Sequence, residues 1–145
     1  MTELADVSEL SRVEQGLTVI STLRRDHTIQ SSLVNAAVMK HPLDAAHVLA
    51  FVTYGKVKLA NLRERPQLTA TVRSGWRWAA VEGSAELIGP HDPHPGVDDN
   101  RLRLLLREIF VAAGGSHDDW DEYDRVMAEQ GRTAVLLRPS RIYSN

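Results

Sequence analysis

The sequence predicts a mainly β protein with helices (α+β), a six-stranded antiparallel barrel with two helices inserted between its fifth and sixth strands. Three observations lead there. Six runs rich in Val, Ile, Thr and aromatic residues are separated by short segments carrying Gly, Pro, Asp or Ser. The fifth run, residues 76–88, is long enough to bend around a barrel, and Gly83 in its middle is where a bulge is least strained. Between that run and the last, two stretches switch to helical periodicity. A chain of 145 residues fits one domain with a single core, spanning residues 1–145.

Residues 3–14 read as an amphipathic helix, with Leu4, Val7, Leu10 and Val13 on one face. Residues 17–23 form the first strand, Arg25-Asp26-His27 a polar turn, and residues 28–38 the second strand. Residues 39–46, with His41-Pro42, form a loop before the third strand at 47–54. A helix over 56–64 stops at Pro66. The fourth strand covers 67–73, Ser74-Gly75 makes a hairpin turn, and the fifth strand follows. Residues 89–96, with three prolines, end that run. Asp98-Asp99 can cap a helix whose Leu102, Leu105, Leu106, Ile109 and Phe110 form one stripe. Asp118-Asp119 can cap another, which carries Trp120, Tyr123, Val126 and Met127 and stops at Gly131. The last strand, residues 133–137, is expected to end before Pro139.

Several strands are apolar on both faces. Leu17, Val19 and Leu23 alternate with Ile20, and Ala79, Val81 and Leu87 alternate with Trp78 and Ala80. A barrel interior requires only one apolar face, so the other is expected to lie under helices or a second subunit.

Composition excludes several function classes. A net charge of −2 gives no general attraction to nucleic acid or an anionic membrane. Cysteine is absent, which removes disulfides, thiolate metal ligands and a cysteine nucleophile. No apolar run approaches about 18 residues. The acidic opening Met1-Thr2-Glu3-Leu4 lacks the basic and apolar regions of a leader, so the expected location is the cytoplasm. His91-Asp92-Pro93-His94 has no further ligand cluster near it in sequence and reads as a solvated loop, so no metal is expected. The serines lack a recognisable base partner, and no Walker turn or dinucleotide fingerprint occurs.

The segment 53–66 carries the strongest chemical signal. It leaves a β-branched run, turns at Gly55, and enters a short helix with Lys56 and Lys58 at the junction. Unpaired N–H groups of a first helical turn, beside ammonium groups, suit a phosphate. Lys56 and Lys58 reach one anion only where the backbone is still turning, because on a regular helix they point about 200° apart. Solvated turn lysines are the alternative reading.

Gly55, Lys56, Lys58, Asn61 and Leu62, followed by Arg65-Pro66, resemble the G-(R/K)-x-K-x-x-N-L pattern of the split β-barrel flavin and deazaflavin proteins, the pyridoxamine 5'-phosphate oxidase-like family. The similarity runs from about Leu17 to Tyr143 and looks closest to the actinobacterial branch that uses coenzyme F420. The resemblance implies a homodimeric FMN-binding split barrel fold with cofactor in grooves at the subunit interface. It places Gln30, Ser31 and Ser32 on a strand under the ring system, with Ser32 at the Ser/Thr position, although Leu33 stands where the family often has proline. Thr53, Gly55, Lys56 and Lys58 would meet the phosphate or ribityl oxygens. Trp78 either stacks on a ring or packs at an interface. Asn61 and Leu62 read as structural, and Arg63 and Arg65 as surface charges.

The absence of a catalytic constellation fits a redox enzyme whose cofactor carries the chemistry, with no catalytic residue assigned in the chain. The resemblance implies hydride transfer from reduced F420 to an unsaturated or conjugated small molecule, with FMN as the alternative cofactor. A non-catalytic carrier of a flavin or tetrapyrrole remains the reading of a different class, and steady turnover separates the two.

Overall fold

A computed structural model describes residues 1–145. Strands β1 (Leu17–Leu23), β2 (Ile29–Lys40), β3 (His47–Thr53), β4 (Gln67–Ser74), β5 (Arg77–Ile88) and β6 (Thr133–Ser144) close into an antiparallel barrel in the order β1-β2-β3-β6-β5-β4. Helix α1 (Leu4–Val13) precedes β1, and α2 (Lys56–Glu64) joins β3 to β4. Helices α3 (Asp99–Ala112) and α4 (Trp120–Glu129) join β5 to β6. None of them is long and apolar enough to cross a membrane.

The interior is filled by the inward positions of the strands, among them Ile20, Leu49, Phe51, Val72, Val81 and Leu137. Val7 and Leu10 of α1 join this core from the end where β1 begins. Leu59 and Leu62 of α2 enter from the opposite end, so each helix closes one mouth of the barrel. A second core lies outside, where Leu105, Leu106 and Ile109 of α3 cover Val48 and Ala50 of β3 and Ala134 and Leu136 of β6. The apolar outer faces therefore divide into two parts. Helix α3 covers β3 and β6, while Leu17, Val19, Ile29, Leu33, Trp76 and Trp78 remain exposed around β1, β2 and the β4–β5 hairpin.

The Asp98 and Asp119 carboxylates do cap α3 and α4, accepting from the N–H groups of Arg101 and Glu122. Several strand boundaries differ from expectation, β3 and β4 by one residue at their ends. β2 runs on to Lys40, because Met39 and Lys40 still pair with Val48 and His47. β5 starts at Arg77, and Trp76 sits with Gly75 in the hairpin turn. β6 does not end before Pro139 but continues to Ser144. Its pairing with β5 shifts register between Glu82 and Gly83, which face Arg141 and Pro139, so Ser140 is the extra residue of a bulge. The Ser140 hydroxyl donates to the Glu82 carbonyl at 3.1 Å. A Cβ at Gly83 would lie 1.9 Å from the Arg138 carbonyl oxygen, which is why glycine occupies the bend.

Candidate functional site

β2 and β3 pair only from Ala36 and Phe51 onward. Towards the α2 end they separate, and the β2 residues up to Asn35 keep β1 as their sole partner strand. The Ala36 N–H points to Gly16, on the β1 side. By the alternation of an antiparallel strand, the main-chain groups of Leu33 and Asn35 face the open side. An unpaired strand edge of this kind offers alternating donors and acceptors to a polar planar ligand.

The gap is the floor of a cavity of about 460 Å³. Leu33, Val34 and Asn35 form one lip, and the stretch from Val52 to Gly55 the other. Ile109 and Phe110 of α3 and Tyr123 and Met127 of α4 form its roof, and Lys58 and Arg132 supply charge. No carboxylate and no imidazole lines it.

Gly55 is the N-cap of α2 with φ −66°, and no side chain caps the helix. The first helical bond is Leu59 N–H to the Gly55 carbonyl, so the N–H groups of the first turn have no intrahelical acceptor. Gly55 is not forced by backbone strain; it leaves that turn uncovered. α2 is a regular helix from its first residue, so the two lysines diverge as the helical geometry requires. Lys56 is exposed. Lys58 is only 6% exposed, its Nζ 3.5 Å from the Thr53 hydroxyl and 5.8 Å from the centre of the Phe51 ring. Burial pushes the Lys58 pKa below its ordinary value, with no neighbouring carboxylate to offset it. The two lysines thus do not converge on one anion. Thr53 Oγ1 accepts from the Gly55 N–H at 3.1 Å as well as from Lys58, which leaves its own hydrogen to donate outward.

Gln30 and Ser32 lie together on the inward face of β2, half-buried, whereas Ser31 faces outward and bonds to Ser21 at 3.0 Å. Asn61 Nδ2 donates to Thr22 Oγ1 at 3.0 Å, and Thr22 donates on to Gln30 Oε1 at 3.2 Å. Asn61 and Gln30 are therefore tied into a structural chain. The Ser32 hydroxyl is buried with no hydrogen-bond partner in the protein, and Ser32 is not among the residues that line the cleft. Trp78 is not brought to the cleft. It lies on the outer face with Leu17, Val19, Thr71 and Trp76, its ring edge-on to Tyr143 with centroids 6.0 Å apart. Leu33 lines both the cleft and this outer surface.

Arg63 and Arg65 are not free surface charges. Arg63 pairs with Asp92 at 2.7 Å, and Arg65 donates to the Leu23 carbonyl at 3.0 Å. Sequence reasoning missed Arg132, whose guanidinium lies 4.0 Å from the centre of the Tyr54 ring. The signal that finds it is register. Thr133 pairs with Thr53, so the residues flanking that pair, Arg132 and Tyr54, are neighbours.

His94, on the loop that read as solvated, reaches Glu86 at 3.3 Å, as does buried His41 at 3.1 Å. The Leu43 N–H donates to His41 Nδ1, so Nε2 carries the hydrogen and donates to Glu86. Arg138 also pairs with Glu86. This cluster ties the 89–96 loop to the barrel.

The fold is that of a split β-barrel of the pyridoxamine 5'-phosphate oxidase-like type. Three of the solved structures similar to it are as follows. One is a conserved hypothetical protein of Mycobacterium tuberculosis, with 19% identity, TM-score 0.68, and coverage of 99% of this chain and 84% of that one. The second is an F420 reductase, with 18% identity, TM-score 0.60, and 88% of each chain covered. The third is a pyridoxamine 5'-phosphate oxidase-related, FMN-binding protein of Nostoc punctiforme, with 14% identity, TM-score 0.64, and 97% and 81% covered. No protein-family model matches the sequence.

Proposed function

We propose that the protein is a deazaflavin-dependent oxidoreductase that uses coenzyme F420 to reduce an unsaturated or conjugated small molecule. The observation that carries this reading is Lys58, a buried cation without a counter-ion that lines a carboxylate-free cleft. A buried unpaired charge costs several kcal/mol unless an anion meets it. Thr53 and the uncapped first turn of α2 add donors to the same place. The free β2 edge extends the polar contacts along the cleft. These features fit a ligand with a phosphoryl group at one end and a polar-edged ring at the other.

Bound reduced F420 supplies hydride. The chain's part is to bind the phosphoryl group, orient the ring and exclude water. Apolar Val34, Ile109, Phe110 and Met127 do the last of these. The likeness in fold to both an F420 reductase and an FMN-binding protein supports a flavin-type cofactor and keeps FMN as the alternative.

Titration of the purified protein with F420 and with FMN, followed by absorbance and fluorescence, tests the choice. F420 is expected to bind at micromolar concentration or tighter and FMN more weakly. Equal or tighter FMN binding, with a yellow chromophore co-purifying, would reassign the protein to FMN chemistry. Tight binding without turnover over a panel of acceptors would favour a carrier.

A further inference from the structure

We propose that Arg132, supplied by the α4–β6 turn, is the second cation of the cleft, and that Lys58 and Arg132 bind one phosphoryl group together. This rests on the reading of the cleft as the cofactor site. The sequence pairs Lys58 with Lys56, but α2 turns Lys56 to solvent. Arg132 stands in its place, brought from the far end of the chain by the β3–β6 register.

Gly131 ends the α4 segment with φ 62°, and the chain turns there into β6. The guanidinium of Arg132 then lies over the exposed Tyr54 ring, one residue from Gly55. Its Nε donates to Gln130 Oε1 at 2.8 Å, which fixes the plane, and neither Nη nitrogen has a partner within the protein. Burial lowers the Arg132 pKa, and the ionisable groups that act on it are the hydroxyls of Tyr54 and Tyr123, not carboxylates. One buried and one half-buried cation, neither paired with a carboxylate, therefore line one cavity. A guanidinium with both Nη groups free is a planar fork matched to two phosphate oxygens, and Lys58 adds a point charge to the same cavity.

The test uses two probes. Inorganic phosphate, against chloride at equal ionic strength, is expected to raise the melting temperature of the parent protein and of Arg141→Gln, an exposed control. Arg132→Gln and Lys58→Gln should lose that increment, and Arg132→Lys should recover part of it. F420 and its phosphate-free deazariboflavin core, titrated separately, give the phosphate-dependent share of affinity. Arg132→Gln should cut the F420 affinity about tenfold and leave the core's affinity at the parental value. A parental phosphate response and parental F420 affinity in Arg132→Gln would overturn the assignment, whatever Lys58→Gln does. Phosphate stabilisation that needs both cations, in a protein that binds neither F420 nor FMN, would uphold the two-cation site and sink the cofactor reading instead.

Discussion

At Lys58, stability and binding pull in opposite directions. Its ammonium is buried against Thr53 and Phe51 without a carboxylate, so the empty protein carries the desolvation cost that a bound anion offsets. Lys58→Ala is expected to weaken cofactor binding by roughly 1.5–3 kcal/mol, about ten- to a hundredfold. Lys56→Ala, at an exposed position, should cost less. Lys58→Met should stabilise the ligand-free protein by about 1 kcal/mol, seen as a melting temperature a few degrees higher. Burial holds the folded-state pKa of Lys58 below the ordinary 10.5, so the unfolded chain binds this proton more tightly. The penalty is complete below the folded pKa and is relieved as pH rises from there through 10.5. The advantage of Lys58→Met should accordingly be largest near neutral pH and shrink in alkali; an advantage independent of pH would mean that the gain is packing alone. Arg63→Ala cannot serve as the silent control that a surface charge would provide, because it breaks the ion pair with Asp92. The lysine was legible from its place beside Gly55, but Arg132 was not, since only strand register brings residue 132 beside residue 54.

Among the elements, the β5–β6 ribbon shows most clearly what the sequence could and could not convey. A glycine in the middle of a long strand marks a bend, and Gly83 does face the bulge at Ser140. Pro139 normally marks a strand end, yet β6 passes through it. β3 has stopped pairing at Leu137, so β6 from Arg138 onward has a partner only in β5, and a proline is tolerated beside a bulge on such an edge. Gly83→Ala should cost at least about 3 kcal/mol in urea unfolding, because the new methyl meets a backbone carbonyl at 1.9 Å rather than a movable side chain. Gly75→Ala is the comparison. It has open space around it and a φ of 60°, so its cost should stay near 1 kcal/mol. Equal costs at the two positions would mean that backbone conformation, not the close approach of β5 and β6, selects glycine at Gly83. The α2 boundaries were fully legible, because Gly55 and Pro66 bracket the helix. The separation of β2 from β3 was not, because local sequence says where a strand runs and not where its neighbour leaves it.

On the scale of the whole molecule, alternating apolar residues raised the question of what covers the outer face, and α3 answers it for β3 and β6 alone. Leu33 is 61% exposed and Trp76 94% exposed, and with Leu17, Val19 and Trp78 they line one open surface concavity. A second copy of the chain is the proposed cover, in a homodimer burying more than about 1,000 Å². Leu33 would tie the proposed dimer to the proposed cofactor site, because it lines the cleft on one side and this open face on the other. Leu33→Glu should therefore shift the protein to monomer in sedimentation velocity and weaken F420 binding, with the barrel's far-ultraviolet circular dichroism unchanged. Val111→Glu, at a half-exposed apolar position on α3 away from both cavities, should leave mass and affinity alone. A parent protein that sediments as a monomer at micromolar concentration would remove the dimer and any interfacial part of the cleft together. A Leu33→Glu protein that stays dimeric while losing the cofactor would confine Leu33 to the cleft and move the interface elsewhere. Loss of the dimer with affinity intact would show that one subunit completes the site by itself.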